Sequence, residues 1–246
     1  THDGQVLSLE LFGKDSKCKR LISYAASFGH TTLEQIIQNG EYDTICGYLN
    51  QFDSISVRDE NSAHIITDML GTEPKRHLDP VFLYDFEDEL SQCDVRIPNE
   101  PYMIVYAYRG RFSAEEGKYI KRFAQKNNLK IIALEGVQDF CDDFVLANPF
   151  EVIRYVQGAE YVVTDTFHGT VFSIKYNKKF ASFVRDSNSQ KLKCLLNKFN
   201  LCNHIVDNLN DFENVITYDE DYDRINEMID KEVEISTCYL KDEIMH

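Results

Sequence analysis

From Tyr102 to Val206 the chain alternates short apolar runs with longer segments of helical period. Met103 to Tyr106, Lys130 to Leu134, Tyr161 to Thr164 and Phe180 to Val184 have the length and apolar content of buried strands. Between them, Ser113-Ala-Glu-Glu116 is a capping box that predicts a helix to about Lys126. Asn148-Pro149 predicts another, ending near Gly158. Helical patterns also cover 170–177 and about 187–199, and a short strand is expected from His204 to Val206. Strands separated by helices cannot pair as hairpins. They are expected to lie parallel in a doubly wound α/β sheet.

The N-terminal side is less regular. Arg20 to Ala25 predicts a strand, Ser27-Phe-Gly29 a turn, Thr32 to Leu49 a mainly helical stretch and Ser54 to Val57 a short strand. Asn61 to Leu70 has helical spacing with Gly71 as its C-cap. Four of the five prolines fall between Pro74 and Pro101. The expected organisation is a first domain over 1–76, a linker over 77–101, a second domain over 102–220 and a C-terminal helix over 221–246. Ile225, Ile229 and Val233 share one stripe of that helix, which is expected to pack back on the first domain.

Composition excludes several classes. A net charge of −15 argues against nucleic-acid binding, which needs a basic surface. Val206 to His246 carries thirteen acidic and three basic residues, most of the imbalance, as a solvated helix face and acidic loop would. No apolar run approaches the ~20 residues of a membrane span. No charged-then-apolar leader opens the chain, so nothing argues for secretion. Seven cysteines without a C-x-x-C pair point to a reducing cytoplasm rather than to disulfides or zinc, with attachment to the inner face of the membrane left open. The acidic run Asp219-Glu-Asp-Tyr-Asp223 lacks the Gly and distal Glu of a calcium loop, and neither metal nor cofactor is expected.

Chemistry concentrates at Tyr161-Val-Val-Thr-Asp-Thr-Phe-His-Gly-Thr170. A strand, a turn and a helix N-terminus is where α/β proteins hold anions, and His168 in that turn is suited to proton transfer near neutral pH. Arg109 follows the first strand of the second domain and Arg185 the strand over 180–184. Both therefore fall at the carboxyl ends of strands, where such sheets bind ligands. The amides of Gly169 and Thr170 and the Thr170 hydroxyl are expected to cradle an anionic oxygen, with Asp165 holding the turn or orienting His168. A structural histidine capping the helix is the alternative for His168, and surface ion pairs are the alternative for the arginines.

The sequence resembles the polysaccharide pyruvyl transferase family. Four stretches carry the resemblance: Ile22-Ser-Tyr-Ala-Ala-Ser-Phe-Gly29, Ser56-Val-Arg-Asp-Glu60, Leu78-Asp-Pro-Val-Phe-Leu83, and Ala159 to Phe183 around Thr164-Asp-Thr-Phe-His-Gly169. Asn188-Ser189 before a helix also fits. The resemblance implies two Rossmann-like domains facing a cleft in the GT-B manner. It implies transfer of a pyruvyl group from phosphoenolpyruvate to a hydroxyl of a sugar or glycolipid-linked oligosaccharide, with His168 catalytic or donor-binding. Ser27 and Arg58, in the first domain, are candidates for touching the acceptor. Some members carry Arg-Leu-His where this chain has Thr166-Phe167-His168, which shifts anion binding toward Arg109 and Arg185. Members also usually have many more residues before the Ser23 stretch, so an incomplete first domain is expected. Two rival functions remain: a GT-B glycosyltransferase using a nucleotide sugar, and a non-catalytic binding module. The oligomeric state is left open.

Overall fold

The computed structural model of the chain describes residues 8–245. The chain divides into two compact units. One runs to Leu83 and includes Asp230 onward; the other is Tyr84–Ile229.

The first unit contains helices α1 (Leu33–Gln38) and α2 (Tyr42–Leu49), strand β1 (Ser56–Val57), helix α3 (Glu60–Leu70) and strand β2 (Lys75–Arg76). The helical stretch expected over 32–49 is two helices, because Gly40 turns the chain in the left-handed region (φ 71°) between them. The expected strand at 20–25 is an extended segment tied by single parallel bridges, Ile22 to Ser54 and Ala26 to Val57. Asp59 caps α3 by accepting from the Ser62 amide at 2.9 Å, and Gly71 closes it in the left-handed conformation. Ile36, Ile45, Ile65 and Ile66 form the centre of this unit's core. From the C-terminal segment, the Tyr239 hydroxyl lies 3.0 Å from both the Ser23 carbonyl and Ser54 Oγ.

The stretch expected as a linker, 77–101, is divided between the units. Pro80–Leu83 is a 3-10 turn of the first, and helix α4 (Glu87–Ser91) belongs to the second. Then follow β3 (Tyr102–Ala107), α5 (Ala114–Lys126), β4 (Lys130–Glu135), β5 (Asp143–Val145), α6 (Pro149–Gly158), β6 (Tyr161–Thr164), α7 (Phe167–Lys175), β7 (Lys179–Ser182), α8 (Ser189–Lys198), α9 (Phe212–Ile216) and α10 (Tyr222–Met245). The strands pair in parallel in the order β5-β4-β3-β6-β7. Met103, Ile104, Val105, Val162, Val163, Phe180 and Ala181 are fully buried. A sheet covered on both faces demands such unbroken apolar runs, and burying each large side chain contributes roughly 1.5–3 kcal/mol. The strand expected at 204–206 reduces to one parallel bridge, Ser182 to Ile205, after a 3-10 turn over Cys202–His204.

The strand order reverses direction between β3 and β6. Their carboxyl ends are in register through Tyr106 and Thr164, and a crevice opens at such a switch point. Among the described residues, no helix is long and apolar enough to cross a membrane.

Candidate active site

The end of β6 is built by a chain of hydroxyl groups. Thr164 Oγ1 donates to the Tyr106 carbonyl at 2.7 Å, which ties the ends of β6 and β3 together. Thr166 Oγ1 lies 3.0 Å from Thr164 Oγ1 and accepts from the Gly169 amide at 2.9 Å. Thr166 is thus the N-cap of α7, and the helix starts at Phe167, three residues earlier than the sequence pattern suggests. His168 is the second residue of that helix rather than part of a loop. It is exposed, with its ring 5.6 Å from Phe167 and 6.3 Å from Phe172.

The expected anion cradle takes a different form. The Gly169 amide is committed to Thr166, and Thr170 is fully buried. The Thr170 hydroxyl lies 3.2 Å from the Thr166 carbonyl and 3.0 Å from Ser182 Oγ. Both residues hold the turn together. Gly169 is required sterically, since a Cβ there would collide with the Thr164 side chain.

Arg185 is already engaged. Its Nη1 binds Glu116 Oε1 at 2.7 Å, its Nε lies 3.4 Å from Asp165 Oδ2, and its guanidinium sits over Phe112 and Phe183 at 5.3 and 5.4 Å. Burial alone would draw the Arg185 proton off, but the bond to Glu116 and the charges of Glu116 and Asp165 outweigh it, and its pKa is raised. Burial alone would likewise raise the Glu116 pKa; the bond to Arg185 prevails and holds that carboxyl below its ordinary range. This corrects the expectation of an Arg185 open to a ligand: two carboxylates already compensate it.

Arg111, which sequence reasoning passed over, joins the same cluster. Its Nε donates to Asp165 Oδ2 at 2.8 Å, and its Nη2 lies 3.3 Å from Ser187 Oγ. Asp165 is buried at the end of β6, and its Oδ1 has no hydrogen-bond partner among the described residues. Asn188 fixes the strand ends by donating to the Asp165 carbonyl at 2.6 Å and accepting from the Arg185 amide at 3.0 Å. Arg111 could have been found from its place, like that of Arg109, in the loop after β3.

That loop is clamped by the one after β4. Gln138 Nε2 donates to the Tyr108 carbonyl at 2.8 Å, and the Gly110 amide donates to the Val137 carbonyl at 3.1 Å. Gly136 lies so close that a Cβ there would meet the backbone of Ala107 and Arg109. Arg109 itself is exposed, with no ion-pair partner among the described residues. Ser27 and Arg58 belong to the first unit. Ser27 Oγ accepts from the Gly29 amide at 3.0 Å and shapes the turn, while Arg58 pairs with Asp79.

Comparison with known proteins places this geometry. No curated protein sequence matches the chain. Among solved structures, UDP-GlcNAc 2-epimerase from Neisseria meningitidis, bound to UDP-GlcNAc, superposes with a TM-score of 0.59 at 7% identity, covering 96% of this chain and 71% of that one. A structure described as trehalose-6-phosphate from E. coli bound with UDP-2-fluoro glucose gives 0.51 at 12% identity, covering 87% of this chain. The chain spans 65% of that second protein, under two thirds of its length. At these identities the likeness is one of fold, the α/β fold with parallel sheets of GT-B glycosyltransferases and epimerases. The sequence itself is more specific. A family model described as polysaccharide pyruvyl transferase matches residues 3–187. The chain belongs to the polysaccharide pyruvyl transferase family.

Proposed function

We propose that the chain transfers the pyruvyl group of phosphoenolpyruvate to hydroxyls of a sugar or glycolipid-linked oligosaccharide, at the cytoplasmic face of polysaccharide assembly. The observation that carries this reading is an exposed histidine at the start of α7, beside the sheet's switch point, in a chain of this family. In the reaction, sugar oxygens bond to C2 of the donor and the bond from C2 to the phosphate oxygen breaks. One hydroxyl proton ends on the methylene carbon, which becomes a methyl group, and the other leaves with phosphate. His168 supplies the proton to the methylene carbon, a role worth roughly 10²–10⁴ in rate. The positive end of α7 and exposed Arg109 favour the donor's phosphate and carboxylate.

Calorimetric titration tests the donor. Phosphoenolpyruvate is expected to bind more tightly than UDP-GlcNAc or a GDP-sugar. The reverse order would favour nucleotide-sugar transfer, the reading suggested by the bound ligands of the two solved structures. Mass spectrometry of a saccharide panel reads pyruvyl adducts. His168→Gln is expected to lower their formation by about 10²–10⁴ while donor affinity stays within a few-fold. Undiminished formation would remove His168 from the mechanism.

A further inference from the structure

We propose that Arg111 receives the donor's anionic group and that Asp165 holds it ready to do so; the identity of that donor rests on the pyruvyl-transfer reading above. Two arginines share Asp165 Oδ2, yet they differ in what they have left to offer. Arg185 uses Nε on Asp165 and Nη1 on Glu116, with Nη2 3.5 Å from the Arg111 carbonyl, and it lies against two phenylalanine rings. Arg111 is held at Nε by the 2.8 Å bond to Asp165. Its other described bond is the stretched 3.3 Å contact from Nη2 to Ser187 Oγ, and its side chain is 33% exposed. The end-on edge of its guanidinium, formed by Nη1 and Nη2, therefore faces no carboxylate among the described residues. That edge matches the two oxygens of a carboxylate or phosphate.

Asp165 suits a positioning role. Its side chain is fully buried and its carboxylate contacts both arginines through one oxygen. A buried charge of this kind keeps its partners, because leaving it unpaired is costly. Arg111 is thus pre-oriented, and the donor need not order a free arginine side chain. The clamp of Gln138 and Gly136 on the loop after β3 fixes the backbone from which Arg111 projects. Four charges are balanced within the cluster: Arg111 and Arg185 against Asp165 and Glu116. The net positive charge for an incoming anion then comes from Arg109, in the same loop.

Calorimetry with phosphoenolpyruvate on the full chain tests this. Arg111→Gln is expected to weaken binding roughly ten- to hundredfold, as loss of a charge-assisted pair does. Arg111→Lys keeps the charge without the fork and should fall between. Asp165→Asn retains an acceptor for Nε and should stay within about threefold of the native chain, whereas Asp165→Leu should lose as much as Arg111→Gln. Circular dichroism melting confirms that each variant is folded. Unchanged affinity in Arg111→Gln overturns the proposal while leaving the pyruvyl-transfer reading intact. If the native chain binds no phosphoenolpyruvate, that reading fails first, and UDP and inorganic phosphate become the probes. Loss of their binding in Arg111→Gln supports the anion role of Arg111; unchanged binding, or none to the native chain, overturns it.

Discussion

At the scale of single residues, Thr166 explains a departure from the family pattern. Some members resemble this chain but carry arginine at that position. Here the position is an N-cap: Thr166 Oγ1 takes the Gly169 amide and meets the Thr164 hydroxyl, which is itself tied to β3. A threonine is the right size for that bridge. Thr166→Val removes the hydroxyl at constant shape and is expected to cost about 1–2 kcal/mol of stability, while Thr166→Ser should cost far less. Urea unfolding of the two variants checks it, and equal midpoints would show that the cap is idle. The sequence displayed His168 and its neighbours but misplaced the start of their helix. Gly169 resembled a break, whereas the structure needs glycine there for close approach to Thr164. The fate of Arg185 was likewise not legible, because Glu116 is 69 positions away and only the fold brings it within 2.7 Å.

At the scale of elements, the strands with apolar runs were readable and the polar ones were not. Strand β2 is Lys75–Arg76, exposed throughout, and β5 is Asp143–Val145, largely exposed; their neighbours' register places them, not their own hydrophobicity. The buried polar pair of His204 and Glu220, beside β7 and before α10, was also hidden. His204, fully buried and stacked on Phe180 at 4.0 Å, has Nδ1 2.8 Å from the Phe180 carbonyl. A carbonyl only accepts, so Nδ1 carries a proton. Nε2 lies 3.4 Å from Glu220 Oε1, and neither atom has a hydrogen-bond partner among the described residues. Burial lowers the His204 pKa against the bond to the Phe180 carbonyl, and burial raises that of Glu220. Arg224 opposes the rise at Glu220, while Asp219 and Asp221 add to it, and Lys179 pairs with Asp219 at 3.5 Å. The two shifts act in opposite senses. The unfolded chain protonates His204 more readily as pH falls through about 6.5, which lowers stability on the acid side. The raised Glu220 pKa removes stability as pH rises from about 4.5. Glu220→Gln removes the carboxyl's contribution and should leave only the acid-side loss in a pH profile of denaturation; an unaltered profile would dismiss the carboxyl's part in it.

At the scale of the whole molecule, the chain leaves its first unit at Leu83 and returns to it at Asp230. The apolar stripe read from Ile225, Ile229 and Val233 extends further than apolarity alone could show. Its continuation is Ser236 and Tyr239, both buried by polar contacts. The Leu78 amide lies 3.4 Å from Ser236 Oγ, the Tyr239 ring stacks on His77 at 4.4 Å, and Glu243 pairs with Arg20 at 2.5 Å. The first unit is therefore closed by a segment more than 140 positions from the rest of it, whereas the second is continuous and has its own core around Met103, Val105 and Ile120. Cutting the chain before Asp230 removes these contacts without touching that core. Hydrogen exchange should then show amide protection lost in α3, around Ile65 and Ile66, and kept in β3, around Met103 to Val105. Restoring residues 230–246 as a separate peptide should return protection to α3, with Tyr239→Ala in the peptide returning much less. Equal loss in both units would mean that the second depends on the first for its stability, and unchanged protection in α3 would mean that the C-terminal segment only decorates a unit already stable without it.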